Sequence, residues 1–400
     1  MPWKQTRPMT ERIKMISEYL SADYSVADLG RRYGVSRQNI YKWIERYQEK
    51  SWEGLEDLSR APHRQAQATE QYVETMILEL KARWINWGAP KIRHKLLAMV
   101  GRQKCPAEST VSAILKRHGL VKTRRVRSRA VPGGAGPLGH CQGPNELWCA
   151  DFKGWWKTRD GRRCEPLTVS DAWSRYLLKC VGLREGTRTE LVKPHFELLF
   201  REYGVPAAIR TDNGTPFAST GLGGLTPLSV WWVKLGLRLE RIEPGCPQEN
   251  GRHERIHLSL EQSEQRTAQA NLARQQQQLE SFRWEYNQER PHEALGQRTP
   301  AALYHRSERT YNGRLPAARE YPCDWAVRSV RMGGRMKWRT QEINVTRALA
   351  GERIGLEPRD EGKWAVWFEN MELGIFDEQR GRILRHKRLP EATTLEQTQR

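Results

Sequence analysis

Between residues 10 and 50, apolar side chains recur every three to four positions, the repeat of helices that bury one face. Ile13, Ile16, Tyr19 and Leu20 predict one helix, Val26, Leu29 and Tyr33 a second, and Ile40, Trp43, Ile44 and Tyr47 a third. Ser25 and Ser36 stand where a side-chain oxygen caps the free amides of a helix, and Gly34 where a left-handed turn ends one. A short Gly-containing turn between two helices is the helix-turn-helix pattern. Its second helix leads with Arg37, Gln38 and Asn39, followed by Lys42, where groove contacts are made. A plain three-helix bundle shares the periodicity, so the DNA reading leans on charge as well. The helical period returns at Val73, Ile77 and Leu80, at Ile92, Leu96 and Leu97 after Gly88-Ala89-Pro90, and at Thr110, Val111, Ile114 and Leu115 before Gly119. The expected layout is a helix-turn-helix domain over 1–60 and a second over 61–122.

From residue 146 the period shortens towards two. Residues 146–158, 163–171 and 175–183 read as successive strands, followed by a helix near 187–203, a short strand 207–211, a helix near 226–235, a strand 237–242 and a long helix from about 248. Strands first, then alternating helices and strands, predict a mixed-sheet α/β core over 145–305. The Trp231-Trp232 pair is expected in its interior and the Gln run of 271–280 on a helix surface. After a polar, basic stretch at 306–320, six strand-like runs over 321–392, separated by turns such as Gly333-Gly334, predict a small β-barrel. The predicted fold class is therefore multidomain, with N-terminal all-α modules, a central α/β core and a C-terminal barrel.

Charge narrows the partners. The 400 residues carry a formal net charge of +20, and residues 1–145 hold 26 Lys and Arg against 13 Asp and Glu. Each phosphate neutralised by a cation releases counterions, so such a segment favours nucleic acid. Residues 123–144 read as a basic linker lying along phosphates, with Lys122 just before it and Arg124, Arg125 and Arg127 within it as contacts, and an exposed spacer as the alternative. Sixteen Trp and 38% apolar residues exclude a wholly disordered basic chain. The seven cysteines form no C-x-x-C pair, which argues against a disulfide framework and a zinc finger. With no apolar run of about 18 residues and no secretory pattern in Met1-Pro2-Trp3-Lys4-Gln5, a cytoplasmic, nucleoid-associated protein without a membrane partner is expected.

Three acids carry the candidate chemistry. Asp151 lies mid-strand in an apolar run, where a carboxylate is costly without a charge partner or metal. Asp212 closes an apolar strand, where α/β sheets place functional groups. Glu254 lies on the helix expected to begin near Pro247. Each alone is weak evidence: Asp212 fits a turn, and Glu254 a solvent-facing helix charge. Brought together, the three would repel, and divalent cations with oxygen ligands relieve that repulsion. Two such ions can promote in-line displacement at phosphorus.

The residues in order are Trp148-x-x-Asp151, Arg210-Thr211-Asp212-Asn213-Gly214-x-Pro216-Phe217, Asn250-Gly251-x-x-Glu254-Arg255, then Tyr286-Asn287-x-x-Arg290-Pro291-His292-x-Ala294-Leu295 with Thr299-Pro300. Over about 145–305 the chain resembles bacterial insertion-sequence transposases of the DDE type with an integrase-like core. The resemblance implies an RNase H-like fold in which Asp151, Asp212 and Glu254 bind two Mg²⁺ or Mn²⁺ ions. It implies binding to the element's terminal inverted repeats, hydrolysis that exposes 3′-hydroxyls, and their transfer into target DNA without a covalent enzyme intermediate. It also implies double-stranded DNA as partner and a homo-oligomer, dimer or higher, that bridges two ends.

Two departures stand out. Related cores often carry basic residues four and seven positions beyond the glutamate; here these are Leu258 and Glu261, and Arg255 and His257 are the candidates to compensate. Residues 1–145 lack zinc-ligand spacing, so no structural zinc is expected. His253 is expected to face DNA or solvent, and Glu249 is the rival for the third acid. A transposase-derived regulator with an inert core, and a simple RNase H-like nuclease, are the alternative functions.

Overall fold

The structure, a computed structural model, describes residues 8–58, 69–121, 141–184, 186–242, 250–263, 267–360 and 362–385. It divides into two compact units, 1–69 and 70–400. The first holds α1 (Pro8–Leu20), α2 (Val26–Tyr33), α3 (Arg37–Lys50) and a 3₁₀ turn at Ser51–Leu55. Ser25 Oγ accepts from the Asp28 amide and Ser36 Oγ from the Asn39 amide, while Gly34 ends α2 at φ +65°. Met15, Ile16, Leu29, Ile40, Ile44 and Leu55 close the core.

The second unit opens with α4 (Gln71–Arg83), α5 (Ala89–Lys104) and α6 (Glu108–Arg117). They pack through Val73, Ile77, Ile92, Leu96, Val111 and Ile114, and stacked Trp84 and Trp87 rings. Within this unit, Lys95 of α5 reaches Glu289 at 2.5 Å and ties the helices to the α/β core.

The core is built from β1 (Leu147–Phe152), β2 (Trp156–Lys157), β3 (Arg163–Asp171), β4 (Leu177–Leu183), α7 (Thr189–Tyr203), β5 (Ala208–Thr211), α8 (Pro227–Lys234), β6 (Arg238–Arg241), α9 (Gly251–Gln262) and α10 (Leu272–Trp284). The sheet runs β4–β3–β1–β5–β6, antiparallel up to β1 and parallel beyond it. The strand expected over 146–158 is broken: Gly154 takes φ +82°, and β2 resumes the pairing with β3 after the interruption. Trp148, Ala150, Leu167, Val169 and Ile209 meet α7 and α8 on one face, with Trp231 and Trp232 buried there. Cys164, Leu177 and Cys180 meet Ile256 and Leu260 of α9 and Leu279 and Phe282 of α10 on the other.

The Gln run does more than cover a surface. Gln275 is fully buried, and Gln276 accepts from the Gly182 amide at 2.9 Å and donates to the Cys180 carbonyl at 3.0 Å. Asn287 does the same for both backbone groups of Leu177, at 2.8 and 2.9 Å. Carboxamides thus stand in for the missing neighbour of edge strand β4, whose bare amides and carbonyls would otherwise be costly to bury.

The far end of the core is fastened by fully buried Asp171, which accepts from the Asn145 and Ser174 amides and the Ser174 hydroxyl. Asn145 Oδ1 in turn accepts from Trp148 Nε1 and the Tyr304 hydroxyl. This explains the tryptophan three residues before Asp151 and the return of the chain at Thr299–His305.

Beyond residue 320 come β7 (Ala326–Ser329), β8 (Arg335–Trp338), β9 (Gln341–Asn344), β10 (Arg353–Pro358), β11 (Lys363–Phe368), β12 (Met371–Asp377) and β13 (Arg382–Arg385). They form a five-stranded sheet β13–β12–β11–β10–β7 and a hairpin β8–β9, with a Val330–Met336 bridge between them. The barrel read from the sequence is seen here as a region of β-sheet, and closure is not shown: among the described residues no ladder joins β9 to β13. Its core, with Val345, Ile354, Val366 and Phe376, packs on Val230 and Val233, the opposite side of α8 from its tryptophans.

Candidate active site

Parallel pairing of β1 with β5 sets Ala150 opposite Thr211, so the next residues, Asp151 and Asp212, emerge side by side at the strand ends. Asp212 is held by the Gly214 amide at 3.2 Å, and Asn213 Nδ2 donates to the Ile242 carbonyl at 2.7 Å, tying the loop to the end of β6. A Cβ on Gly214 would lie 2.9 Å from Asp212 Oδ2, so only glycine lets the backbone approach the carboxylate this closely. Phe217 anchors the rest of the motif against Phe152 and Trp232.

Glu254 comes from α9. The helix starts at Gly251, four residues later than the expected start near Pro247, and so places Glu254 in its first turn; Glu249 lies outside the described residues. Asp151 registers all three acids. Burial, then the neighbouring Asp212, and more weakly Glu254, push its carboxyl up to about 7, against the Phe152 amide bond and Lys153. Two carboxylates beside a third in a half-buried site favour protonation or a bound cation. Among the described residues, no three His, Cys, Asp or Glu side chains form a ready-made metal cage. The donor set itself suits a hard divalent cation: three carboxylates, one of which lacks a cationic partner strong enough to hold it ionised near neutrality.

Two histidines fix α9 against the sheet. His253 and His257 lie one turn apart, and Thr168 and Ser170 share a face of β3. Thr168 Oγ1 is 2.7 Å from Nε2 of both rings, Ser170 Oγ is 2.7 Å from His253 Nδ1, and Thr168 also donates to the Asp151 carbonyl at 3.1 Å. One proton arrangement satisfies these four contacts: each Nε2–H donates to Thr168, Thr168 donates to the Asp151 carbonyl, and Ser170 donates to His253 Nδ1. Burial keeps both rings neutral, pulling His257 down to about 4 and His253 well below its ordinary value. The expected outward His253 is therefore corrected to a buried anchor, and His257, also buried, is no replacement for a DNA-facing cation. The spacing of the four residues carries this signal, but only pairing β3 with α9 gives it meaning.

Thr168→Val keeps the shape and removes the hydroxyl. It leaves two ring nitrogens without partners and is expected to cost about 2–4 kcal/mol in chemical denaturation, whereas Thr168→Ser stays within about 1 kcal/mol.

Of the remaining candidates, Arg37, Gln38, Asn39 and Lys42 are all exposed on the first turns of α3, and Arg255 is exposed on α9. Lys122, Arg124, Arg125 and Arg127 lie outside the described residues. Glu261, in place of a basic residue, stands 3.7 Å from Lys153.

Family models agree with this layout. The Integrase core domain matches residues 235–300, which include Glu254 but neither aspartate. A Helix-turn-helix domain matches 11–63, and the C-terminal domain of IS481 family transposases matches 325–384. These stretches are thus similar to an integrase core, a helix-turn-helix domain and the C-terminal domain of IS481 family transposases. Among similar proteins, the 31.7 kDa protein of insertion element IS407 from Burkholderia multivorans is 28% identical over 217 residues, 53% of this chain and 76% of that protein. The 39.2 kDa protein of IS476 from Xanthomonas euvesicatoria is 28% identical over 172 residues, 42% of this chain and 47% of that one. Overlaps with solved structures are shallower. The HTLV-2 integrase catalytic core in complex with magnesium gives 17% identity and a TM-score of 0.32 over 41% of this chain and 99% of that one. The BIV integrase core gives 18% and 0.30, over 40% and 93%.

Proposed function

We propose that this protein is a transposase that binds the terminal inverted repeats of its element, hydrolyses the DNA ends to expose 3′-hydroxyls, and joins them to target DNA. The observation that supports this reading is the juxtaposition of Asp151 and Asp212 on neighbouring parallel strands with Glu254 in electrostatic reach. Asp151, Asp212 and Glu254 would hold two Mg²⁺ or Mn²⁺ ions, which lower the pKa of an attacking water or hydroxyl and neutralise charge on the leaving oxygen. The protein's own part is positional. The β1–β5 register fixes the two aspartates, Gly214 lets the Asp212 loop close, and the His253–Thr168–His257 contacts set the depth and rotation of α9. Arg37, Gln38, Asn39 and Lys42 would read the ends through the major groove, with the 122–127 cations and Arg255 on phosphates. Two ends must be joined in one event, so a homo-oligomer acting on double-stranded DNA is part of the proposal, as is a cytoplasmic, nucleoid-associated location. Among the described residues no helix is long and apolar enough to cross a membrane.

The test is incubation of the full chain with a linear duplex ending in the element's repeats and a supercoiled target. With Mg²⁺ or Mn²⁺, nicking at the ends and joined products are expected; with EDTA, neither. Specific binding without cleavage in either metal would overturn the proposal in favour of a regulator.

A further inference from the structure

Positive charge gathers where α5 meets the core. Lys91 and Lys95 share one face of α5, a turn apart. The Lys95–Glu289 pair therefore holds Lys91 over the segment that follows Glu289, Arg290-Pro291-His292. Arg290 lies there beside Tyr286, whose ring meets His292 at 4.8 Å. Arg175 joins from the turn between β3 and β4, at φ +66°, and Arg255 from α9, directly after Glu254. Lys91 is within electrostatic reach of Arg290 and Arg255, and Arg175 within reach of Arg252 and His292.

No carboxylate lies within ion-pair distance of Lys91, Arg175, Arg255 or Arg290 among the described residues. Glu285 and Glu293 are the acids in wider range of Lys91, leaving cations in surplus. Burial and this crowding bring the Lys91 ammonium down to about 7, and burial lowers the Arg175 and Arg290 guanidiniums. At the centre, the buried Nε2 of His292 has no hydrogen-bond partner. Like charges from four separate elements, three of them half-buried and Arg255 exposed, repel unless an anion compensates them, and a guanidinium fork fits phosphate oxygens.

We propose that Lys91, Arg175, Arg255 and Arg290 form a phosphate clamp for the DNA strand entering the acidic site, shared between the α4–α6 module and the core. The clamp rests on the transposase reading.

The test uses the full chain and a fluorescein-labelled duplex in EDTA, with affinity measured between about 50 and 200 mM salt. Lys91→Gln is expected to flatten the log K against log salt slope by about 0.9, the effect of one phosphate fewer neutralised, without lowering the melting temperature, because it also removes a repulsion. Arg175→Gln should act alike from the opposite wall. Slopes unchanged in both variants would overturn the clamp, as would a fall in melting temperature with an unchanged slope. Failure of the transposase reading shows separately, as wild-type protein that binds but never cleaves with Mg²⁺.

Discussion

Asp151→Asn is expected to lower Mg²⁺-dependent end cleavage and strand transfer by about 10³-fold or more, roughly 4 kcal/mol in the barrier, while binding to the element ends stays within about twofold. The asparagine keeps the shape and the bond from the Phe152 amide, so the sheet and its register survive. What it loses is the charge between Asp212 and Glu254. Without that charge the remaining two acids hold cations more weakly and no longer fix their spacing. Asp212→Asn and Glu254→Gln should behave alike, and pairs of these substitutions should cost little more than one, since the three act as a unit. Gel assays of cleavage beside equilibrium binding check this. Loss of binding together with cleavage would mean that the substitution disturbs the fold, or that Asp151 serves the sheet rather than the reaction.

The same substitution should stabilise the metal-free protein. In the unfolded chain Asp151 ionises near the ordinary aspartate value of 3.8; in the fold it does so near 7. Below about pH 4 both states are protonated and the residue costs nothing. Between about pH 4 and 7 the unfolded state releases its proton first, so native stability is lost as pH rises, and above 7 the full penalty applies. The shift corresponds to about 2–4 kcal/mol at pH 8. In EDTA, Asp151→Asn should therefore raise the melting temperature at pH 8 and leave it unchanged at pH 4. Mg²⁺ should reverse the order, stabilising the wild type through linkage and leaving the variant unmoved. Equal stabilities in EDTA at both pH values would show that Asp151 feels neither burial nor its acidic neighbours.

The features legible in the sequence are those set by local rules. Ser25, Ser36 and Gly34 act as caps because capping depends on a few adjacent residues, and the helical period marks all six N-terminal helices. Asp151 is visible because a carboxylate in an apolar strand needs a reason, and Asp212 and Glu254 because they follow it in the motif order. What stays hidden depends on elements far apart in the chain. Gln276 and Asn287 are ordinary polar residues until edge strand β4 lies beside them, and His253 is an ordinary charged-helix neighbour until Thr168 and Ser170 of β3 face it. The break at Gly154 and the division of the C-terminal strands into a sheet and a hairpin escape for a related reason. Alternation predicts strands, but hydrogen-bond partners decide where a strand stops and whether a sheet closes.

Anomalous scattering from crystals of the full chain grown or soaked with Mn²⁺ tests the central claim most directly. Two peaks about 3.5–4 Å apart, bounded by the carboxylates of Asp151, Asp212 and Glu254, are expected. Crystals with Mn²⁺ elsewhere and no peak at these three side chains, in the presence of bound DNA, would contradict it.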